Sequence, residues 1–263
     1  MTNASYNQFC PVAMAAEILC ARWTLVLLRE LVVGSTQFNE LRRRVPRMSP
    51  ALLSKRLRDL EAAGIVSRTQ VPGERDVFEY RLTEAGRDLH SVVEAVGVWG
   101  QRWIETEATL ANLDPNLLMW DMRRNIDPAP MPRRRSTIEV IFADQPPTRR
   151  RWWLVVEPGK DVDLCSVDPG FDVDLYLATD LRTMTEILMG YTPITRGKEE
   201  GRLTLTGSRQ LEAKLKSWLS LSRFAKVEKL VAQQVGTFRI SGPTQAPPPR
   251  TSRCSRQTPW CWP

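Results

Sequence analysis

The sequence predicts a two-domain α+β protein, with an N-terminal domain of helices and one β-hairpin and a C-terminal domain that mixes strands and helices. The length of 263 residues exceeds the roughly 100 to 200 residues of a typical domain. Apolar residues recur at helical spacing in the first part, whereas short strand-like segments dominate after residue 136. The charge also changes sign: residues 22–68 carry ten basic and four acidic residues, and residues 157–212 carry six basic and eleven acidic residues.

Three helices are expected before residue 46. The first, PVAMAAEIL, begins at Pro11, and the second, WTLVLLREL at 23–31, ends near Gly34. The third, QFNELRRRV, has Phe38, Leu41 and Val45 on one face. Largely off that face lie three consecutive arginines: Arg42, Arg43 and Arg44.

The fourth helix has both ends encoded in the sequence. Ser49 is a favoured N-cap, Pro50 suits the first helical position, and Gly64 suits the C-terminal cap. Its buried stripe is expected to be Leu53, Leu57 and Leu60. Its opposite face carries Ala51, Ser54, Lys55 and Arg58. Such a helix packs on one side and offers small residues, a hydroxyl and cations to the major groove of DNA, which is wide enough to admit it.

A β-hairpin follows the fourth helix directly. The alternating segments IVSRTQ and VFEYRLT flank PGERD at 72–76, which is a turn-forming sequence. Helices followed by such a hairpin predict a winged helix-turn-helix domain, whose wing would place Arg68 or Arg75 against the DNA backbone or minor groove.

The segment TEAGRDLHSVVEAVGVWGQRWIETEATL predicts one long helix. Its broad apolar face comprises Leu89, Val92, Val93, Val96, Trp99 and Trp103. A face this wide on a terminal helix favours packing against a second copy of the chain, as a homodimer. The alternative is that the helix folds back on its own domain.

The domain boundaries follow from changes of pattern. We expect a DNA-binding and dimerisation domain at 8–110, a linker at 111–135 whose irregular part is IDPAPMPRRRS, and a second domain at 136–240. In the second domain, strands are expected at STIEVIFA, RWWLVVEP, VDLCSV, FDVDLYLAT and GRLTLTG, with helices at TDLRTMTEILMG and SRQLEAKLKSWLSLS. These elements predict one sheet with helices on one face. The Pro-rich tail at 241–263 is expected to be disordered.

Composition argues against several functional classes. The five cysteines are an odd number without CxxC spacing, and His90 is the only histidine, so we expect neither a metal site nor a disulfide framework. We see no nucleophile and base arrangement or carboxylate pair, so we expect no cofactor and no enzymatic activity. The N-terminus lacks the pattern of a secretory signal, and no apolar run is long enough to cross a bilayer, so we expect a cytoplasmic protein without membrane insertion.

The first part of the chain closely resembles the HxlR family of bacterial winged-helix transcriptional regulators, which are relatives of the MarR type. The resemblance covers roughly residues 10–105. Its marks are Cys10-Pro11, Trp23-Thr24, LREL at 28–31, FNEL at 38–41, Ser49-Pro50, LRDLE at 57–61 and YRLTEAG at 80–86. It implies a homodimer on a pseudo-palindromic operator, with the helix at 50–63 as the reading element. Ala51 departs from the pattern, because related sequences often have a longer polar residue there.

From about Ser136 to Phe224 the chain resembles sterol-carrier-protein-type lipid-binding domains, chiefly in DVDLYLATDLRTMTEILMGYTP and EEGRLTLTGSRQLEAKL. The resemblance implies an apolar tunnel between sheet and helices that binds a fatty or sterol-like molecule. The expected lining residues are Trp152, Trp153, Leu177, Ile187, Leu188 and Leu215.

Together these observations predict a sequence-specific DNA-binding regulator controlled by an apolar ligand. For double-stranded DNA, we expect Ser49, Ser54, Lys55 and Arg58 in the groove and Arg42, Arg43, Arg44 and Arg68 on phosphates. One alternative is a thiol-based regulator that senses redox change or electrophiles through Cys10, because Cys10 lies where a helix begins and its thiolate would be favoured there. Another is a lipid carrier that does not bind DNA.

Overall fold

The computed structural model describes residues 5–74 and 77–231. Arg75 at the predicted wing tip, residues 232–240 of the predicted second domain and the tail at 241–263 lie outside the described residues. The elements of the N-terminal domain are α1 (Pro11–Leu19), α2 (Thr24–Val32), α3 (Phe38–Arg44), α4 (Pro50–Ala62), β1 (Val66–Gln70), β2 (Phe78–Leu82) and α5 (Glu84–Trp103). The four predicted helices and the hairpin are therefore confirmed.

Helix α4 begins and ends at the residues that the sequence predicts. The Ser49 hydroxyl accepts a hydrogen bond from the backbone N–H of Leu52, and Pro50 occupies the first turn. Beyond the C-terminus, Gly64 has φ of +70°, and the N–H of Ile65 donates to the carbonyl of Leu60 at 3.0 Å. This is a Schellman motif, which satisfies carbonyl groups that the helix leaves without partners.

The leucine stripe of α4 forms part of the N-terminal core. Leu53, Leu57 and Leu60 are at most 1% exposed, as predicted. They share a cluster with the buried residues of α2, which include Leu27, Leu28 and Leu31. The packing of these leucines against α2 therefore fixes the position of α4.

The β-hairpin is joined to the start of α3 by a third short strand segment. Strands β1 and β2 pair antiparallel, with Val66 opposite Leu82 and Gln70 opposite Phe78. Gln37 forms an isolated bridge with Glu79, and the N–H of Tyr80 donates to the carbonyl of Thr36 at 2.8 Å. The wing is therefore fixed to the helix pair α3 and α4.

Helix α5 ends earlier than predicted, because the chain becomes extended at Ile104 before a short helix, α6 (Thr106–Leu110). Its apolar face divides into two parts. Leu89 and Val93 pack against the N-terminal core, whereas Val92, Val96 and Trp99 are 40%, 48% and 49% exposed. The face can therefore pack on its own domain through Leu89 and Val93 and contact a second copy of the chain through Val92 and Val96.

The predicted linker at 111–135 is wrong. It contains a helix, α7 (Pro115–Arg124), which is capped by the Asp114 carboxylate. Leu118, Met119 and Met122 of α7 are buried in the core of the C-terminal domain, and Met131 farther along is 7% exposed. These residues bury too much apolar surface for the segment to be a free connector.

The C-terminal domain contains one five-stranded sheet in the order β5-β4-β3-β6-β7. The strands are β3 (Ser136–Phe142), β4 (Arg151–Val156), β5 (Asp163–Cys165), β6 (Leu175–Thr179) and β7 (Leu203–Gly207). Strand β3 pairs parallel with β6, and the other neighbours pair antiparallel. All five strands lie within the segments that the sequence predicts.

The helices of this domain differ in part from the prediction. They are α8 (Pro147–Arg150), α9 (Leu181–Leu188), α10 (Ile194–Glu199), α11 (Arg209–Ala213) and α12 (Leu215–Trp218). The predicted final helix is broken at Lys214 into α11 and α12, and α8 and α10 were not predicted. Buried residues of α7, α9, α11 and α12 share one core with Ile138 and Leu177 of the sheet.

A buried carboxylate joins the two domains. Glu30 of α2 is 0% exposed, and its Oε2 accepts a hydrogen bond from Nη1 of Arg124 on α7 at 2.8 Å. Its Oε1 accepts from Nε of Arg29 at 2.8 Å. Arg124 also pairs with Asp121 one turn earlier in α7. A carboxylate this deeply buried is stable only because cations compensate its charge.

Replacing Glu30 with Ala is expected to lower the free energy of unfolding by about 1 to 3 kcal/mol, because Arg124 loses a buried acceptor and keeps only Asp121 as a charged partner. Urea denaturation followed by tryptophan fluorescence measures the change. Glu61→Ala is the matched control, since Glu61 lies exposed in the last turn of α4 and its loss should change stability by less than about 0.5 kcal/mol. Equal effects of the two substitutions would contradict the structural role of Glu30.

Candidate nucleic-acid interface

Most of the predicted DNA-contacting side chains lie on the surface around α4. Those that are exposed are Arg42, Arg43, Ser49, Lys55, Arg58 and Arg68, and Ser54 is half-buried. Ala51 is also exposed at the start of the helix. The structure therefore combines the outward face of α4, the end of α3 and the wing strand β1 on one domain.

The cations of α4 are held by side chains of the same helix. Arg58 Nη1 donates to the hydroxyl of Ser54 at 2.9 Å, and Lys55 Nζ lies 2.9 Å from Asp59 Oδ2. Both pairs join residues four apart, which lie one turn from each other. The pairs are exposed and weak, so a phosphate or a base edge can replace them as the partner of either cation.

Asp59 accepts from two cations. Arg56 Nη1 lies 2.8 Å from Asp59 Oδ2, and Arg56 Nε donates to the carbonyl of Arg22 at 3.1 Å. Partial burial acts to raise the pKa of Asp59, but the hydrogen bonds from Lys55 and Arg56 outweigh it and hold the pKa below its ordinary value. Asp59 therefore stays ionised at neutral pH, and Arg56 serves to fix α4 to the α1–α2 turn.

The wing cation Arg68 is supported by an aromatic ring. Its guanidinium lies 3.6 Å from the centroid of Phe78 on the neighbouring strand. A cation over an aromatic face is stabilised by the ring electrons, and stacking reduces the number of conformations that the long side chain samples. Arg68 is thus presented at the wing in one orientation.

The prediction that Arg44 contacts phosphate is wrong. Arg44 is 3% exposed, its guanidinium lies 4.8 Å from the centroid of Trp120, and its Nη1 donates to the carbonyl of Trp120 at 3.4 Å. Burial and, secondarily, repulsion by Arg124 lower the pKa of Arg44 to about 10. Arg44 therefore joins α3 to α7 and is not available to DNA.

Sequence reasoning did not single out Arg47 as a site residue. Arg47 is exposed between α3 and α4, and its Nη1 lies 3.4 Å from Asn112 Oδ1. Its position two residues before the N-cap of α4 was the available signal, because that end of the helix presents free N–H groups to phosphate.

The predicted sensor residue Cys10 is exposed and immediately precedes α1. Its Sγ accepts no capping hydrogen bond, but the nearby backbone N–H groups of Ala13 and then Val12 lower the pKa of the thiol below its ordinary value. At Cys165, burial and the nearby Asp163 raise the pKa of the thiol. The pKa is therefore lowered at Cys10 and raised at Cys165, and this difference favours reaction at Cys10.

Five of the six predicted ligand-lining residues are packed in the C-terminal core: Trp152, Leu177, Ile187, Leu188 and Leu215. Trp153 cannot join them, because successive residues of a strand point to opposite faces of the sheet. It is opposite Glu139 of β3 on the other face. The prediction that Trp152 and Trp153 line one tunnel is therefore wrong.

Within the described ranges, no single helix is long and apolar enough to cross a bilayer. Helices α1 and α2 meet the length and composition criteria only as a pair, and they bend by 84° at the break between them.

Comparison with known proteins identifies the N-terminal domain. A family model described as HxlR-like helix-turn-helix matches residues 18–108. The uncharacterized HTH-type transcriptional regulator YvaP of Bacillus subtilis is 33% identical over 100 residues, which are 38% of this chain and 93% of that protein. The regulator Rv3095 of Mycobacterium tuberculosis is 39% identical over 93 residues, covering 35% of this chain and 58% of that protein.

Among solved structures, the redox regulator HypR in its reduced form is 35% identical, covers 35% of this chain and 91% of that chain, and has a TM-score of 0.34. The residues 18–108 that the family model matches contain α2 to α5 and the exposed cationic face of α4. The chain belongs to the HxlR-like helix-turn-helix family of transcriptional regulators.

Proposed function

We propose that the chain is a cytoplasmic, sequence-specific transcriptional regulator that binds a pseudo-palindromic operator as a homodimer. The observation that carries the proposal is the exposed cationic face of α4, which stands on a fully buried leucine stripe and is flanked by Arg42, Arg43 and the wing residue Arg68. A helix fixed in this way can enter a major groove without rearranging the domain.

The cations have two different roles in this proposal. Arg42, Arg43 and Arg68 contact phosphates, which gives affinity and salt dependence but no sequence preference. Ser54, with Arg58 already oriented by its hydroxyl, reads base edges. The two roles are separable by mutation because only base contacts distinguish one sequence from another.

Arg58→Ala is expected to weaken binding to the cognate operator by about 1 to 3 kcal/mol and to leave binding to random DNA nearly unchanged. Arg43→Ala, its matched control, should weaken binding to both DNAs and reduce the slope of log affinity against log salt by about one. Fluorescence anisotropy over a salt series measures both. Equal losses on the two DNAs for Arg58→Ala would reassign that residue to the phosphate backbone.

The exposed part of α5 supports the homodimer. Val92 and Val96 are 40% and 48% exposed on the helix that follows the wing, and apolar surface of this kind favours contact with a partner. On α1, none of whose residues is buried, Val12 and Met14 are 76% and 59% exposed. We propose that the two copies meet through α5, because its apolar face is wide and partly exposed.

Val96→Glu is expected to convert the dimer to a monomer, because a carboxylate placed in an apolar interface loses its solvation. Light scattering after size-exclusion chromatography measures the mass, and operator affinity should fall with it. Val167→Glu is the control, since Val167 is 76% exposed on the C-terminal domain. A Val96→Glu protein that stays dimeric would place the interface elsewhere.

We further propose that the C-terminal domain is sterol-carrier-like and regulates DNA binding in response to an apolar ligand, without enzymatic activity. Its support is the single mixed sheet, the order β6-α9-α10-β7-α11-α12 of residues 175–218 and the attachment of the domain to α2 through Glu30. A lipid carrier that does not bind DNA remains the alternative, and it predicts no salt-dependent binding to any DNA.

A second candidate for control is the Cys10 thiol, favoured by its exposure and lowered pKa. A lowered pKa increases the thiolate fraction at neutral pH, and the thiolate is the nucleophile. An adduct at the start of α1 would lie on a helix that packs beside α2 and leaves its apolar side chains exposed.

We expect alkylation by N-ethylmaleimide at pH 7 to modify Cys10 faster than Cys165, whose pKa is raised, with the rate profile of Cys10 shifted to lower pH. Mass spectrometry of timed samples measures the rates. In a variant whose other four cysteines are Ser, alkylation should change operator affinity, and Cys10→Ser should abolish the effect. Full alkylation with unchanged affinity would exclude Cys10 as a sensor.

A further inference from the structure

A groove of about 510 Å³ lies between the two domains. One wall is formed by α2 and α5 of the winged helix, and the other by α7, the end of α9 and residues 222–224. Its volume is within the range of small-molecule sites. Of the residues predicted to line the tunnel, the groove contains only Leu188, and its other lining residues lie outside that set.

The groove has an apolar surface drawn from both domains. Val33 and Val93 line it from the N-terminal side, and Leu188 and Phe224 line it from the C-terminal side. The Phe224 ring is held tightly against α5, because a Cβ atom at Gly97 would lie 2.3 Å from its Cζ. The apolar wall is therefore formed by packed side chains and not by a loosely placed loop.

Guanidinium groups supply the polar part of the groove. Arg124 is committed to Glu30 and Asp121. Arg29 is 45% exposed and uses Nε and Nη2 on the Oε1 of Glu30, and its Nη1 forms no hydrogen bond within the described residues. In the part of the chain that the structure describes, the exposed side chain of Arg223 forms no hydrogen bond or ion pair.

Of the two carboxylates that line the groove, one is matched with a cation and the other lies beside a histidine. Asp121 pairs with Arg124, and Glu94 Oε2 lies 3.9 Å from His90 Nδ1. The donors that remain unused, on Arg29 and Arg223, suit an anionic oxygen, because guanidinium groups bind carboxylates through charge-assisted hydrogen bonds.

We propose that this groove binds an amphipathic organic anion, with its acidic head on Arg29 and Arg223 and its apolar body against Val33, Val93, Leu188 and Phe224. The ligand contacts both domains, so it favours one relative position of α2 and α7 over others. Helix α2 packs directly behind the leucine stripe of α4. The bound anion therefore changes DNA affinity, a consequence that rests on the proposed function.

The site itself is tested without DNA. Isothermal titration calorimetry of the full chain with dodecanoate, below its micelle concentration, should show binding, and dodecanol and dodecyltrimethylammonium should bind at least tenfold more weakly. Arg223→Gln should weaken dodecanoate binding about tenfold, since a charge-assisted hydrogen bond is lost. Arg149→Gln, an exposed arginine of the same domain, should change it less than twofold.

A second variant tests the location. Val33→Trp fills the groove from α2, where Val33 is half-buried, and should weaken dodecanoate binding at least tenfold while circular dichroism and thermal unfolding stay as in the wild type. Unchanged dodecanoate affinity in Arg223→Gln and Val33→Trp, or equal affinity for dodecanol, would overturn the proposed site.

The regulatory part is measured separately as operator affinity with and without saturating dodecanoate. A change of fivefold or more in either direction, abolished by Val33→Trp, supports it. Intact dodecanoate binding with unchanged operator affinity overturns the coupling but leaves the site. A protein that binds dodecanoate but no DNA overturns the proposed function instead.

Discussion

The carboxylate of Glu30 is fully buried, and it is stable in that position because Arg29 and Arg124 approach it from the same helix and from the other domain. Removing a charge from water costs several kcal/mol unless partners compensate it. The pair therefore favours one relative position of helix α2 and helix α7. Since α2 supports α4 and α7 supports the sheet, this one contact links the reading helix to the C-terminal domain.

The second link is Arg44, which joins α3 to Trp120 of α7. A buried guanidinium with an aromatic partner and few acceptors holds a charge at some energetic cost, and its pKa falls to about 10 accordingly. Together with Glu30, it makes α7 a shared element: its apolar face belongs to the C-terminal core and its polar face belongs to the winged helix. The two domains are thus coupled through charged groups that tolerate little displacement.

Local features could be predicted from the sequence, because they depend on neighbours along the chain. The limits of α4 follow from Ser49, Pro50 and Gly64, and its leucine stripe follows from helical spacing. The same helical spacing was sufficient to predict which cations of α4 face outward. The strands of the C-terminal sheet could also be predicted, because the pattern of residues along a strand is a local signal.

Features that depend on distant residues could not be predicted in this way. Nothing near Arg44 distinguishes it from Arg43, since its burial results from Trp120, 76 positions later. Two errors were avoidable: Asp114 and Pro115 are a helix start in the supposed linker, and alternation alone places Trp152 and Trp153 on opposite faces. The prolines that follow α7 made the whole segment resemble a linker, although Asp114 and Pro115 indicate a helix start.

The position of α7 also determines where the chain can be divided. A C-terminal fragment that begins at residue 136 would lack Leu118, Met119 and Met122, and would expose the sheet residues that they cover. An N-terminal fragment that ends at residue 110 would leave the Glu30 carboxylate without Arg124. A C-terminal fragment therefore keeps these core residues and their helix cap only if it begins at or before Asp114, and an N-terminal fragment that ends there keeps Arg29 as the cation beside Glu30.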